Sequence, residues 1–440
     1  MNHAGFFRGQ VLLVLAAAVS LAGGWLYWQR VLIPHQIADG AAHNRPRGNF
    51  SDLYPQWIGT RDLLLHGRDP YSPEVTREIQ EGYYGRALDP NKPGDPKDQQ
   101  AFAYPVYVVF YLAPTIHLSF VAVRIGFFWG LLGLTLVTVW LWLGVLRYSV
   151  PLGTKLSIMA LTIGSFTVMQ GLKLQQLTLL VAAMCAAGVA LLVAGRPIAA
   201  GIMLALATIK PQLVLPLLLW LALWSLGDLR RRYRWVVSFL IVMTILCVAS
   251  ELLLPQWIAR FWHAVVAYRQ YAKGIPVLEI MLPTWWGRVL ELLFAAMTAL
   301  TCVRWFRHAE DTAAFAACTC LAMAASVLLV PKVALYNQVL LLPAILLIVR
   351  DRRTIWHGSA IKRFMLVVVC VSLAWIWVAS LVLAGLSFMV RAEVIEKGWM
   401  VPLVTLPQIP AAVTALLLLH YYRTTFAPSL GQPGVVECLG

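Results

Sequence analysis

An all-α polytopic membrane protein is the fold class predicted by three observations. Hydrophobic residues make up 60% of the 440 positions and charged residues only 12%, about half the charged share of an ordinary soluble domain. The mean hydropathy is +0.73. The apolar residues also gather into stretches of roughly the 20 residues that a helix needs to cross a bilayer.

Taken in order, these stretches fall near 7–28, 102–120, 122–146, 155–172, 176–194, 197–223, 234–254, 286–303, 312–329, 333–349, 363–386 and 402–422, so about 12 transmembrane helices are expected. In the first, Arg8 precedes an alanine-rich run, the pattern of a signal peptide. Its length and its aromatic residues Trp25, Tyr27 and Trp28 favour a retained anchor. The stretch 155–194 is interrupted by Gln170, Lys173, Gln175 and Gln176. The whole chain, 1–440, reads as one integral membrane domain in which two external loop segments, 30–100 and 255–285, form part of the site.

The formal charge of +15 would suggest nucleic acid in a soluble protein. Here the basic residues cluster between spans, at Arg230, Arg231, Arg232 and Arg234, at Arg304 and Arg307, and at Arg350, Arg352, Arg353, Lys362 and Arg363. They read as cytoplasmic anchors and exclude nucleic acid as a partner. Counting through the spans puts the clusters and both termini on the cytoplasmic side of a cell (inner) membrane, and the two long segments outside. The seven cysteines show no metal or thiol-exchange spacing, and Cys318 and Cys320 read as small buried residues.

The first external segment holds ten of the twenty acidic residues. Trp57, Ile58, Arg61, Leu64 and Leu65 share a helical face and suggest a helix lying along the membrane surface. In GRDPYSPE, Ser72 is placed to cap a second helix, with Pro73 at its first position and Glu74 in its first turn. The following LDPNKPGDPKDQQ reads as a loop. In the second segment Trp257, Ile258, Phe261, Trp262 and Val265 form an amphipathic helix, bringing His263, Arg269 and Lys273 to the same surface. Beyond it, Trp285 and Trp286 read as interfacial, with Arg288 placed to pair with Glu291 one turn on.

Ionisable groups within apolar stretches mark functional positions. Lys210 in GIMLALATIKPQLVLP precedes Pro211, where the helix should break and free backbone groups for a cavity. Lys332 in VPKVALYNQVLLLP also sits beside a proline, one turn from Tyr336 and Asn337. MQGLKLQQLTLL adds Gln170, Lys173 and Gln175, as a turn or as contacts to a headgroup. Asp52, in SDLYPQW, is either a helix cap or a carboxylate available for acid–base work. No acidic pair or DxD motif implies a bound metal, and the metal requirement stays open.

The order of these motifs resembles glycosyltransferase family 87, the polyprenol-phosphate-mannose-dependent mannosyltransferases. It runs from the early aspartate through GRDPY, FAYPVYVVFYLAP, the glutamine-rich break at 170–176 and GIMLALATIKPQLVLP to PKVALYNQVLLLP. The resemblance covers about 50–350 and implies the GT-C type fold, with amphipathic external helices beside the membrane bundle. It implies Asp52 as general base, a polyprenyl-phosphate sugar as donor substrate, a glycolipid or glycan acceptor and no other cofactor. Lys210 and Lys332 are then the first candidates to meet the donor phosphate, with His263, Arg269 and Lys273 as external alternatives. Tyr336, Asn337 and Gln175 are candidate contacts to phosphate or sugar. The late motif departs from the family where PKVALYNQ stands in place of an often expected histidine. A transporter or flippase of a lipid-linked sugar is the alternative, since it would use the same broken helices without a reactive carboxylate.

Overall fold

A computed structural model describes residues 3–42, 51–89, 91–92, 95–96, 98–271, 276–330 and 334–422. Every regular element among them is helical. Six helices are long and apolar enough to cross a membrane: Arg8–Ala42, Phe120–Val145, Leu229–Leu253, Thr284–Trp305, Ala360–Leu386 and Ala392–Tyr421. A seventh is obtained if Leu152–Gly164 and Phe166–Lys173, bent by 57° at their junction, form one span. The chain is thus a multi-pass membrane protein, and the expectation of about 12 spans is corrected to six or seven.

The surplus has a physical origin. Leu177–Val193, Pro197–Ile209, Pro211–Leu226 and Ala313–Leu329 are apolar helices of no more than 17 residues. At 1.5 Å per residue such a helix reaches about 26 Å, short of a hydrocarbon core of about 30 Å. Much of their apolar surface meets protein instead: every residue from Ala314 to Leu328 is buried, while Pro211–Leu226 still turns Leu215, Leu219 and Leu226 outward. The long helices turn large side chains outward, as Val121, Ile125, Trp129, Val137 and Trp140 do on Phe120–Val145. Hydropathy responds equally to lipid and to protein neighbours, so it counts both kinds as spans.

The bundle has two chemically different ends. At one, the basic clusters are tied together. Arg147 pairs with Asp311 at 3.5 Å, Arg350 donates to the Leu146 carbonyl at 2.7 Å, and Arg232 donates to the His308 carbonyl at 2.9 Å. Gln10 accepts from Thr154 at 3.1 Å and Arg304 donates to the Tyr422 carbonyl at 2.9 Å, so both ends of the described chain lie there. Phe120–Val145, 26 residues long, carries the fold about 39 Å from this end to the other, where Asp52 sits.

Around Asp52 the polar segment is packed. Ser72 accepts from the Val75 N–H at 3.2 Å and begins the helix Pro73–Tyr84. The helix Tyr54–His66 packs into the protein on more than its apolar face. Pro55 to Thr60, Asp62 and Leu63 are buried, because Tyr54 and Trp57 pack on Phe120 and Gly59 lies against Phe102. Arg260, on the helix Trp257–Tyr271, pairs with Asp69 and ties the second external segment to the first. Trp285 and Trp286 are exposed and stacked on each other. Arg288 pairs with Glu279 at 2.9 Å rather than with Glu291.

Backbone contact sets the position of the inner helices. Gly201, on Pro197–Leu206, meets Leu229–Leu253 so closely that an added Cβ would lie 2.3 Å from the Trp235 carbonyl oxygen. Neither backbone can yield without moving its whole helix, so Gly201→Val should destabilise by about 1–3 kcal/mol or more. Thermal unfolding in detergent measures this, and an unchanged Tm would contradict the close approach.

Candidate active site

At the end opposite the arginines the inner helices stop at backbone breaks, and each break exposes polar groups. Lys210 stands between Ala207–Ile209 and Pro211–Leu226 with φ −124° and ψ 76°. The residue before a proline is driven out of the helical region, and proline has no N–H to give. The carbonyls freed upstream find side-chain donors: the Tyr107 hydroxyl donates to Thr208 O at 2.9 Å and the Tyr111 hydroxyl to Leu206 O at 2.8 Å. Thr208 closes back onto Ala205 O at 2.6 Å. The tyrosines of FAYPVYVVFYLAP thus satisfy the broken helix of GIMLALATIKPQLVLP.

The second break follows Phe166–Lys173. Gln176 N–H bonds Gly171 O at 2.8 Å and Gln175 N–H bonds Leu172 O at 3.3 Å, the Schellman pattern, which puts Gln175 in the left-handed region at φ 49°. A side chain there costs of order 1–3 kcal/mol, yet a glycine would lose its amide bonds. Gln175 Nε2 donates to Leu172 O at 2.8 Å and Lys173 O at 2.7 Å, and its Oε1 accepts from the Ser51 hydroxyl at 2.7 Å. Asp52 N–H donates to Leu174 O at 3.0 Å. The turn at 174–176 therefore fixes the loop that carries Asp52.

Asp52 does not cap the helix it precedes. Leu53 is the N-cap of Tyr54–His66, without a side-chain cap bond. The Asp52 carboxylate instead accepts from Gln176 Nε2. Gln176 Oε1 accepts from Lys210 Nζ at 2.7 Å, Lys210 Nζ also donates to Thr178 Oγ1 at 2.8 Å, and Thr178 donates to Asn337 Oδ1 at 3.1 Å. Lys210 is only 7% exposed, and its ammonium lies 5.5 Å from the Tyr104 ring and 5.3 Å from the Tyr336 ring. Rings and neutral acceptors make a buried ammonium tolerable. One continuous polar chain thus joins Asp52 to Asn337 across four segments distant in sequence.

Tyr268 reaches this cluster from Trp257–Tyr271. Burial, with the charges of Asp98 and Asp52, pushes its phenol up, so it stays a neutral hydroxyl at physiological pH.

The structure brings Asp52, Lys210, Tyr336 and Asn337 together, with Gln175 as the strut behind them. His263 and Arg269 are exposed on the outer side of their helix. Lys273 and Lys332 lie outside the described residues. Sequence reasoning missed the hydrogen-bonding roles of Gln176 and Thr178, and it missed Tyr104 and Tyr268. The signal for Gln176 was present in the polar interruption itself; for Tyr104 it was a tyrosine before proline in an aromatic-rich stretch. Among the described residues no three His, Cys, Asp or Glu side chains are grouped to hold a metal ion. Removing the Tyr107 hydroxyl leaves a buried carbonyl without its donor. Tyr107→Phe should therefore cost about 1–3 kcal/mol, read as a lower Tm in detergent.

The model of glycosyltransferase family 87 matches residues 102–331, more than half of the 440 residues. The match includes Tyr104, Gln176, Thr178, Lys210 and Tyr268, while Asp52 and Asn337 lie to either side of it. No curated protein and no solved structure matches the chain. A break-built polar site at one end of an all-helical membrane bundle and a family match over the segments that build it lead to one conclusion: the chain belongs to glycosyltransferase family 87 and is a membrane-embedded, sugar-transferring enzyme.

Proposed function

We propose that the enzyme transfers a hexose, mannose in the first instance, from a polyprenyl-phosphate-linked donor to a glycolipid or glycan acceptor on the extracytoplasmic face, with inversion. The observation that carries this reading is the orientation of the Asp52 carboxylate by Gln176, itself held by the buried Lys210 ammonium. A carboxylate fixed in this way suits general-base catalysis. It takes the proton of an acceptor hydroxyl as that oxygen attacks the anomeric carbon. The bond from that carbon to the phosphate oxygen breaks on the opposite face, and the phosphate departs with the bonding electrons.

A phosphate leaves without protonation, so a single carboxylate suffices where glycoside hydrolysis uses two. Lys210 is best read as a positioning residue: its donors go to Gln176 and Thr178, and its charge acts on Asp52 through the intervening amide. Asn337 and Tyr336 complete that support. The exposed His263 and Arg269 are better placed for an acceptor arriving from water than for the donor phosphate. The extracytoplasmic assignment is supported by the bundle's polarity. The arginine-rich end, which also holds both ends of the described chain, reads as cytoplasmic by the positive-inside rule, and that reading supports an external Asp52.

The test is transfer of labelled sugar from a polyprenyl phosphate donor to a lipid extract by purified protein in vesicles. Asp52→Asn should slow transfer by about 10²–10⁴-fold with donor binding retained. Wild-type rates in that variant would remove Asp52 from the role of base. Movement of labelled lipid across the bilayer without a new glycosidic bond would favour a transporter instead.

A further inference from the structure

The first external segment brings a second carboxylate to the site, one that the chemistry above leaves unused. Asp98 lies in the stretch that joins the helix Pro73–Tyr84 to Tyr104. Hydrogen bonds fix that stretch to the helix. The Tyr84 hydroxyl donates to Asp98 O at 2.7 Å, and Gln80 Nε2 donates to Gln99 O at 3.2 Å and to Gln99 Oε1 at 2.9 Å. Asp98 Oδ1 accepts from the Gln100 N–H at 3.1 Å, across a local turn that holds Gln100 at φ 53°. Its Oδ2 has no partner among the described residues. The chain then reaches Tyr104, whose carbonyl accepts from the Tyr71 hydroxyl at 2.6 Å and whose ring lies 5.5 Å from the Lys210 ammonium.

Phenols occupy the interval between Asp98 and Asp52. Both carboxylates lie close enough to the Tyr268 and Tyr336 hydroxyls for their charges to act on them, and Asp52 and Tyr268 act on Tyr104 in the same way. These tyrosines are half-buried. The Tyr104 and Tyr336 hydroxyls make no hydrogen bond among the described residues, so they are available to a ligand. A carboxylate only accepts hydrogen bonds, whereas a phenol both donates and accepts. The complementary ligand therefore donates to Asp98, exchanges hydrogen bonds with the phenols and tolerates aromatic rings. Lys210 gives it no charge to pair with, since its donors go to Gln176 and Thr178. A phosphate or carboxylate would meet two like charges. A hard metal ion asks for about six or more oxygens, and no third acidic or histidine side chain among the described residues joins these two. An uncharged ring bearing several hydroxyls meets every demand.

We propose that Asp98, with the hydroxyls of Tyr104, Tyr268 and Tyr336, binds the terminal sugar of the acceptor beside Asp52, and that this sugar is neutral. Asp98 then determines specificity: it accepts from a hydroxyl that does not react, and its charge turns anionic sugars away. The word acceptor rests on the transferase reading. The neutral, hydroxylated character of the ligand rests on the carboxylates and phenols themselves.

The probes are the methyl glycosides of mannose, glucose and galactose, each beside its counterpart with a carboxylate at C6. Binding is read by saturation-transfer NMR on the full-length protein in phosphatidylcholine nanodiscs. At least one neutral glycoside should bind saturably to the wild type, and its carboxylate counterpart should not. Asp98→Asn keeps an acceptor for the Gln100 N–H, so the turn is preserved. It should weaken the neutral glycoside about tenfold or more and admit the counterpart, a gain that a merely structural residue would not give. Tyr268→Phe should weaken the neutral glycoside about threefold or more. In the transfer assay Asp98→Asn should raise the acceptor KM about tenfold with kcat little changed, the mark of lost binding. The proposal is overturned if no neutral glycoside binds the wild type, if the counterpart binds equally well, or if Asp98→Asn changes neither. Binding that needs added Mg²⁺ or Mn²⁺ overturns it too, because the carboxylates would then be a cation site. If the glycosides bind as expected but no sugar is transferred, the transferase reading fails and the sugar site stands. If transfer proceeds in Asp98→Asn with an unchanged acceptor KM, the site fails and the transferase reading stands.

Discussion

A lysine ammonium removed from water must be surrounded by acceptors and rings, and much of this architecture follows from that demand at Lys210. Its two hydrogen bonds, to Gln176 and Thr178, join a break in one inner helix to the start of another. The break is enforced by Pro211, and the carbonyls it frees are met by tyrosines from a third segment. Removing one partner of such a network leaves another buried polar group unsatisfied, so the network acts as a unit. The Asp52 carboxylate is oriented by the last member of that unit, not by its own helix.

Two populations of helix divide the work. The long ones face outward with large apolar side chains and set the height of the molecule. The short ones are more enclosed, Ala313–Leu329 almost entirely, and they end where polar groups are needed. A bundle of uniformly long helices would carry continuous hydrogen bonding past the level of Lys210 and leave no broken backbone to line a site. The shortness of the inner helices is therefore what makes room for chemistry inside an apolar fold.

Much of this was legible in the residues. Composition was enough for the class, and the lysine before proline at 210–211 marked the break. The order of motifs pointed to the family that the match over 102–331 identifies. The span count was not legible, because a helix such as Ala313–Leu329, buried in protein, has the same hydropathy as one facing lipid. Nor was the pairing of Gln176 with Asp52, which depends on a left-handed turn at Gln175 that no glycine announced. The packing of Tyr54–His66 was not legible for a related reason. Its apolar face was visible, but the packing of Trp57 on Phe120 and of Gly59 on Phe102 depends on contacts distant in sequence.

The two sides of the site are held by different kinds of contact. Beneath Asp52, buried hydrogen bonds from four segments interlock. Above it, the helix bearing Tyr268 is joined to the first external segment by the partly exposed Arg260–Asp69 pair, and exposed ion pairs of this kind contribute about 0–1 kcal/mol. An energy that small is comparable to thermal agitation and is screened by salt. The helix itself is held by its buried Trp257, whose indole donates to the Cys247 carbonyl at 3.3 Å and whose ring packs on Tyr107. Salt therefore loosens the tie between the two external segments while leaving the buried hydrogen bonds beneath Asp52 in place.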